Sequence, residues 1–497
     1  MLLRRLLVTV LLSITLLAVC GSAFALDTIF AGPRALGMAG ANVASVNDIT
    51  AQYYNPAAFA FFSSETEHDN NNLAEKDWGF GVDAQGGERI HGQLADYIDL
   101  LADVDLSTIE NGINNEDGLD QLTKLLGALP GIDDPGNDLT VDANAGFGVR
   151  VGHFGIGARG IGQATVYVEN LDLNNLGTAS PIVGDINSVV DIGTDGQQTF
   201  FDQAQQDYLE FTLGLSDTAI NNLDYLAREN NLDPSQADSM ITLLSLIQAG
   251  GSGSLDQNET VALIQGTGYM EVPFTYGAAL NDNWGFGFNL KYMRGRVYGT
   301  QVLVFGNDSE DFLDELEDNF EETDTYGIDF GILGRFPLLN VGLIARNLNR
   351  PTFKGPTVTN TILLDDGVTT KTLTRTFDNV TLERQVTVGL ALIPTESLTL
   401  ESDIDLTRNE TVQAGYDTQN ISFGLEWNPL NIVAIRGGAY KNLAQSDIGW
   451  VYTAGLGFNL WAARIDLAAA YGSETVEIDG EDVPTELRGS AQLVVDF

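Results

Sequence analysis

The chain has 497 residues, and its 69 Asp and Glu against 24 Lys and Arg give a formal net charge of −45 at pH 7. This excess excludes nucleic acid as a partner, because so few cations cannot displace the counterions of a polyanion. Cys20 is the only cysteine, and His68, His91 and His153 are the only histidines, so thiolate metal sites and most histidine chemistry are excluded too.

The N-terminus has the pattern of a secretory signal peptide. Arg4 and Arg5 precede an apolar run, and Ala23 and Ala25 then occupy the −3 and −1 positions of a cleavage site. The alternative is a single-pass anchor, but the run is short for a span of about 20 residues. We therefore expect a cleaved signal peptide over 1–25. No later stretch is apolar enough for a transmembrane helix, which leaves an exported soluble protein or a β-barrel.

Residues 26–76 lie between the cleavage site and the first predicted strand. The stretch 32–41, GPRALGMAGA, is too apolar for a linker and lacks the alternation of a strand. Farther along, Asn55 followed by Pro56 suits the start of a helix, with Asn as the N-cap and Pro at the first helical position. By itself this pattern predicts one short helix.

The motifs A-L-G-M-A-G and Y-x-N-P-A-A, with Asp48 between them, resemble the N-terminal region of the FadL-like outer-membrane superfamily. The similarity is closest to its TraF-like conjugal-transfer group and covers residues 31–62. In FadL-like channels this region is a hatch inside a fourteen-strand barrel. The resemblance therefore implies that 26–76 is a hatch or plug segment. Its implied hatch residues are Gly37, Gly40, Asn55, Pro56 and Ala57, the glycines allowing close backbone packing.

From Ala143 onward, apart from one large interruption, the sequence repeats segments of about ten residues that alternate apolar with polar or small side chains, the pattern of a membrane barrel. In 284–292, for example, Trp, Phe, Phe, Leu and Tyr share one face, and Asn, Gly and Lys share the other. Many segments end in aromatic residues, which favours interfacial girdles over the alternative of a soluble β-sandwich. We predict an all-β fold over 77–497: a transmembrane antiparallel β-barrel of about 14 strands, with an N-terminal hatch and partly helical external loops.

Short turns alternate with long connections, and the acidic residues concentrate in the latter. The external loops predicted at 87–142 and 170–268 are rich in Asp and Glu, as is the stretch 307–323. Leucine spacing and the Asp233-Pro234 pair predict helices within these loops. We expect weak, diffuse binding of divalent cations there, because clustered carboxylates repel one another. Acidity that merely keeps the loops soluble is the alternative.

The last strand ends in a terminal phenylalanine. Leu493, Val495 and Phe497 share its apolar face, as in the C-terminal signal that the barrel assembly machinery of outer membranes reads. Together with the signal peptide, this strand predicts the outer membrane of a double-membraned bacterium as the location and its lipid as the surroundings.

Three functions fit this architecture. The first is a plugged channel for small hydrophobic molecules, whose candidate ligand-lining residues are Leu243, Leu244, Leu246 and Ile247. The second is a non-transporting envelope assembly or docking component, possible in conjugation if the TraF-like resemblance extends to function. The third is an enzyme using Glu401, Asp403 and Asp405, but we expect these carboxylates to form salt bridges with lumen arginines. The candidate partners are Arg150, Arg335, Arg436, Arg464 and Arg488. We therefore predict no enzymatic activity and no cofactor.

Overall fold

A computed structural model describes 29–63, 76–92, 113–132, 137–169, 182–250, 257–303, 319–363, 370–411, 415–429, 432–446, 448–460, 463–478 and 481–497, with isolated residues or short runs within 94–109 and 171–175 and at 253 and 368. The predicted signal peptide and most of the acidic stretch 307–323 lie outside these residues. We call 29–62 the hatch.

The fold is a closed antiparallel barrel of fourteen strands, as predicted. The strands are β1 Trp78–His91, β2 Asp138–Val151, β3 Phe154–Glu169, β4 Val261–Ala279, β5 Trp284–Leu303, β6 Phe320–Arg335, β7 Leu339–Arg346, β8 Gln385–Thr395, β9 Leu398–Asp405, β10 Asn420–Trp427, β11 Val433–Asn442, β12 Val451–Leu460, β13 Ala463–Gly472 and β14 Glu486–Asp496. β14 pairs with β1 from Asp496 opposite Gly79 to Glu486 opposite Arg89, so the sheet has no free edge.

Lipid and lumen impose opposite polarity on the two faces of each strand. On β5, Phe288, Leu290 and Tyr292 are exposed on the outside, whereas Asn289 and Lys291 are buried in the lumen. We call the end with the short turns and both termini of the barrel the turn end. The long connections lie at the opposite end, the loop end.

The predicted bounds of the two longest loops need correction. β1 and β2 extend to His91 and Asp138, and β4 begins at Val261, so the connections span 92–137 and 170–260 rather than 87–142 and 170–268. At its loop end β4 is buried on both faces over 261–267. A strand covered on both sides loses its alternation, and the sequence pattern therefore stops before the strand does.

The two longest connections form a helical cap at the loop end. The helices with described bounds include α1 Pro33–Gly37, α2 Ala51–Tyr54, α3 Glu116–Ile132, α4 Val183–Ser188, α5 Gln203–Tyr208, α6 Asp217–Glu229 and α7 Ala237–Gly250. Leu119 and Leu126 of α3 share one hydrophobic core with Leu223 of α6 and Leu244 of α7. The cap, α3 to α7, is thus one folded unit. Among the described residues, no helix is both long enough and apolar enough to cross a membrane.

Candidate functional site

The hatch fills the lumen at the turn end, where Asn55 fixes its chain path. The Asn55 Oδ1 accepts a hydrogen bond from the Ala57 amide at 3.0 Å and so caps the 3₁₀ turn Pro56–Ala60. Its Nδ2 donates to the carbonyl of Val43 at 2.9 Å and to that of Ile332 on β6 at 3.1 Å. One buried side chain therefore joins the turn, the hatch loop and the barrel wall.

Glycines on the lumen face let the hatch backbone lie directly against the strands. A Cβ added at Gly287 would lie 2.1 Å from the Pro56 carbonyl oxygen, and one at Gly342 would lie 2.5 Å from the Val43 carbonyl oxygen. Because both neighbours are backbone atoms, neither can move aside without displacing the hatch. Hatch atoms also lie within 3.2 Å of a Cβ added at Gly81, Gly148, Gly277, Gly331, Gly389, Gly424, Gly438 and Gly455.

The hatch glycines Gly37 and Gly40 also lie at close approaches. A Cβ added at Gly37 would be 3.1 Å from the Cα of Gly455, so α1 meets β12 backbone to backbone. Gly40 has a φ of 90°, and a Cβ there would lie 2.6 Å from the Phe30 ring. A residue with a side chain at Gly40 would be strained as well as crowded.

A chain of ion pairs fastens the hatch to the wall. It runs through Arg34, Glu426, Arg436, Asp466, Arg464 and Asp48. Both ends, Arg34 and Asp48, belong to the hatch, and the four residues between them face inward from β10, β11 and β13. Glu426 lies 3.1 Å from an Arg34 nitrogen and 2.6 Å from an Arg436 nitrogen. Since every charged group in this chain of ion pairs has an oppositely charged neighbour, burial of these side chains in the lumen is tolerated.

Glu401 and Asp403 bind the backbone of the hatch loop rather than arginines. The Asp403 Oδ2 accepts hydrogen bonds from the amides of Asn42 at 2.8 Å and Val43 at 3.0 Å. Glu401 accepts from the Ala44 amide at 2.6 Å and from a hatch serine hydroxyl. The expectation that these carboxylates form salt bridges with the lumen arginines is thus wrong for this pair. Loop amides without a strand or helix partner need buried acceptors, and β9 supplies them.

Connections from the loop end fold into the lumen and meet the hatch. Phe353, on the short hairpin Thr352–Phe353 with Val380–Thr381, packs on Tyr269 and lies in one cluster with Ile29 of the hatch. Further small hairpins pair Thr357–Leu363 with Thr370–Thr376, Asn409–Glu410 with Asp417–Thr418 and Thr475–Ile478 with Glu481–Pro484. The lumen is therefore occupied from both ends.

Cavities beside the hatch are small, and charged as well as apolar side chains line them. One of about 70 Å³ is lined by Tyr53, Glu271 and Lys291 among others, and one of about 50 Å³ by Arg346 and Asp405 among others. These volumes suit a few water molecules, whereas sites for small molecules usually exceed roughly 300 Å³. Within the described ranges, no group of three or more Asp, Glu, His or Cys side chains could hold a metal ion.

The predicted ligand-lining residues lie on α7, far along the chain from the hatch. Leu243, Leu244 and Ile247 are buried in the core of the cap, whereas Leu246 is exposed. Their helical spacing is explained by packing against α3 and α6, and none of them borders the hatch cavities described above.

The terminal strand closes the barrel seam. The Phe497 ring stacks on Trp78 with centroids 4.8 Å apart, and the backbones of the two residues exchange hydrogen bonds at 2.8 and 2.9 Å. Phe497 and Leu493 face outward and remain exposed. The Phe497 side chain thus packs across the seam where β14 pairs with β1.

We expect deletion of Phe497 to lower the steady-state level of folded barrel several-fold, because both the seam contact and the proposed assembly signal are lost. The amount of heat-modifiable protein in outer-membrane fractions measures this. Phe458→Ala is the control, since Phe458 is an equally exposed aromatic residue away from the seam. Unchanged levels after the deletion would show that Phe497 is incidental.

The sequence predicted lumen salt bridges for Arg436 and Arg464, but neither their carboxylate partners nor the hatch ends of the ion-pair chain. Arg34 and Glu426 are 392 positions apart, and no local pattern joins them. The sequence shows only a lone arginine in an apolar segment and one or two charged residues in each of the strands β10, β11 and β13. Such isolated charges in a buried setting require partners.

A closed fourteen-strand wall with an apolar exterior and a filled lumen defines the protein as a plugged transmembrane β-barrel. The family described as "F plasmid transfer operon, TraF, protein" matches residues 52–405, and the chain belongs to that family. The match confirms the resemblance that the N-terminal motifs indicated.

Several solved barrels are similar in shape. The Pseudomonas putida toluene transporter TodX is 11% identical, with 95% of this chain and 99% of that chain covered and a TM-score of 0.48. The Ralstonia pickettii toluene transporter TbuX is 11% identical, with coverage of 94% and 98% and a TM-score of 0.44. A Pseudomonas aeruginosa FadL homologue is 10% identical, with coverage of 96% and 99% and a TM-score of 0.43. No curated protein sequence matches the chain.

Proposed function

We propose that this protein is an outer-membrane barrel that does not conduct solutes and that docks a partner in the cell envelope through its cap. The main support for this proposal is the filled lumen, in which the hatch and the infolded connections leave cavities of about 70 and 50 Å³ beside the hatch. A transporter needs a path, whereas a docking barrel needs a rigid anchor and a displayed surface. The family description, which refers to a plasmid transfer operon, supports a role in an envelope assembly linked to conjugation.

The exterior supports the outer-membrane location. Trp284, Trp427 and Tyr471 are exposed near strand ends, as in the aromatic girdles of outer-membrane barrels. Short turns face the periplasm in such barrels, so the loop end and its cap would face outward.

A channel for small hydrophobic molecules is the second candidate, and one observation favours it. A concavity of about 1830 Å³ lies against the barrel wall, lined both by outward small residues such as Ala84 and Gly160 and by lumen-facing residues such as Asn144, Gln163 and Arg488. A molecule leaving the lumen sideways would emerge on a surface of this kind.

Vesicles with lipopolysaccharide in the outer leaflet separate the two candidates. We expect the apolar dye N-phenylnaphthylamine to enter vesicles containing the folded protein no faster than protein-free vesicles, because the cavities of about 70 and 50 Å³ beside the hatch are too small for the dye. Faster entry that saturates with dye concentration would contradict the docking proposal and establish the channel.

A further inference from the structure

The cap carries an aromatic pair that its own fold leaves uncovered. Phe211 is 75% exposed and Tyr208 is 42% exposed. They lie on α5 and on the π turn Leu209–Leu213, a rare geometry that is frequent at functional sites. Within this stretch Leu209 is fully buried and anchors the π turn in the cap core.

The segment that displays the pair is held firmly. The Asp202 side chain accepts from the Gln205 amide at 2.8 Å in a capping box, and the Gln205 side chain donates to Asp238 of α7 at 2.8 Å. Gly214, in the left-handed region with a φ of 82°, ends the π turn. Because this backbone is already fixed, the protein would lose little conformational entropy when a partner binds.

The cap that carries the pair has a strongly acidic sequence. In 113–132 and 182–250 there are fourteen Asp and Glu but only Lys124 and Arg228 as cations. Lys124 pairs with Asp120 at 3.1 Å, and Arg228 pairs with Asp195 at 2.7 Å. The Arg228 hydrogen bond lowers the pKa of the Asp195 carboxyl, which stays ionised at neutral pH. Both cations are therefore already neutralised within the cap.

This charge selects the class of partner. Anionic lipid and nucleic acid are repelled by such a surface, whereas a basic protein surface is attracted. Asp207 and Glu210 are exposed beside the aromatic pair along the chain, so the apolar and acidic features belong to one patch. Arginine satisfies both features, because its guanidinium stacks on aromatic rings and also pairs with carboxylates.

We propose that Tyr208 and Phe211 form the centre of a docking site for a basic, arginine-bearing protein face, with the surrounding carboxylates as its rim. The proposal rests on the docking function above and names the class of partner. Aromatic side chains at the centre of an interface, ringed by charged groups, commonly carry most of the binding energy.

The test uses the folded full-length protein in detergent and a fluorescent amphipathic helical peptide of arginine and leucine. We expect the double variant Tyr208→Ser with Phe211→Ser to bind this peptide roughly tenfold more weakly than the wild type. Val190→Ser is the matched control, since Val190 is 78% exposed on the same cap, and it should leave binding unchanged. A peptide of scrambled order with the same composition should bind weakly to all three proteins.

Equal binding by the double variant and the wild type would overturn the proposal, as would equal binding of the scrambled peptide, which would show attraction by charge alone. Unchanged heat-modifiable migration of the variants excludes misfolding as the cause of a loss. Faster dye entry into vesicles that contain the protein would contradict the docking function. It would leave the dependence of peptide binding on the two aromatic residues unchanged. The two failures are therefore distinguishable.

Discussion

Replacing Glu426 with Gln is expected to lower the free energy of unfolding of the barrel by about 3 kcal/mol, the lower end of the cost of breaking a buried ion pair. Glu426 bridges Arg34 of the hatch and Arg436 of the wall, and the substitution removes the carboxylate with which the hatch arginine pairs. The cost stays at the lower end because Arg436 keeps Asp466 at 2.6 Å. Urea titration followed by migration on unboiled gels measures the change.

The matched control is Glu322→Gln. Glu322 also bridges two arginines, Arg294 and Arg296, but on the outside of β5 and β6, where both arginine side chains are about half exposed. Water screens that cluster, so we expect no measurable change in stability. If both variants lost the same stability, burial of the ion-pair chain would not explain how the hatch is held.

Gly287→Val is expected to displace the hatch from its position in the lumen. A Cβ at this position would lie 2.1 Å from the Pro56 carbonyl oxygen and 2.6 Å from the Ala57 nitrogen. Overpacking of about 1–3 kcal/mol raises the population of a displaced hatch by a factor of roughly 5 to 150. Arg34 is 2% exposed in the seated hatch, so tryptic cleavage after Arg34, followed by mass spectrometry, reports displacement.

Gly160→Val is the matched control, because Gly160 lies on β3 with nothing within 4 Å of an added Cβ. It faces outward, and its variant should resist trypsin at Arg34 like the wild type. Equal protection of Gly287→Val would mean that the close approach between hatch and wall is not structurally required.

The number of strands and most turn positions could be predicted, because lipid outside and polar groups inside force a two-residue alternation that the sequence displays. The prediction fails where that cause is absent. The first residues of β4 are covered on both faces, and no sequence pattern predicted α6, which begins at Asp217 after the N-cap Ser216. Burial of those residues depends on distant parts of the chain.

The candidate site was predicted in part for the same reason. Asn55 and its proline follow a local rule of helix capping, so their place could be read from the sequence. The partners of Glu401 and Asp403 could not, because the hatch amides that they accept from lie more than 350 positions away. The sequence analysis expected these carboxylates to pair with arginines. It did not consider that the irregular hatch loop has backbone amides that need buried acceptors.

The central claim is that the seated hatch seals the barrel, and conductance across a planar lipid bilayer tests it most directly. The wild-type protein, inserted in folded form, is expected to show no current above that of the bare bilayer, because ions find no continuous aqueous path past the hatch. Discrete conductance steps from the wild type would contradict the account and show that the protein forms an open channel.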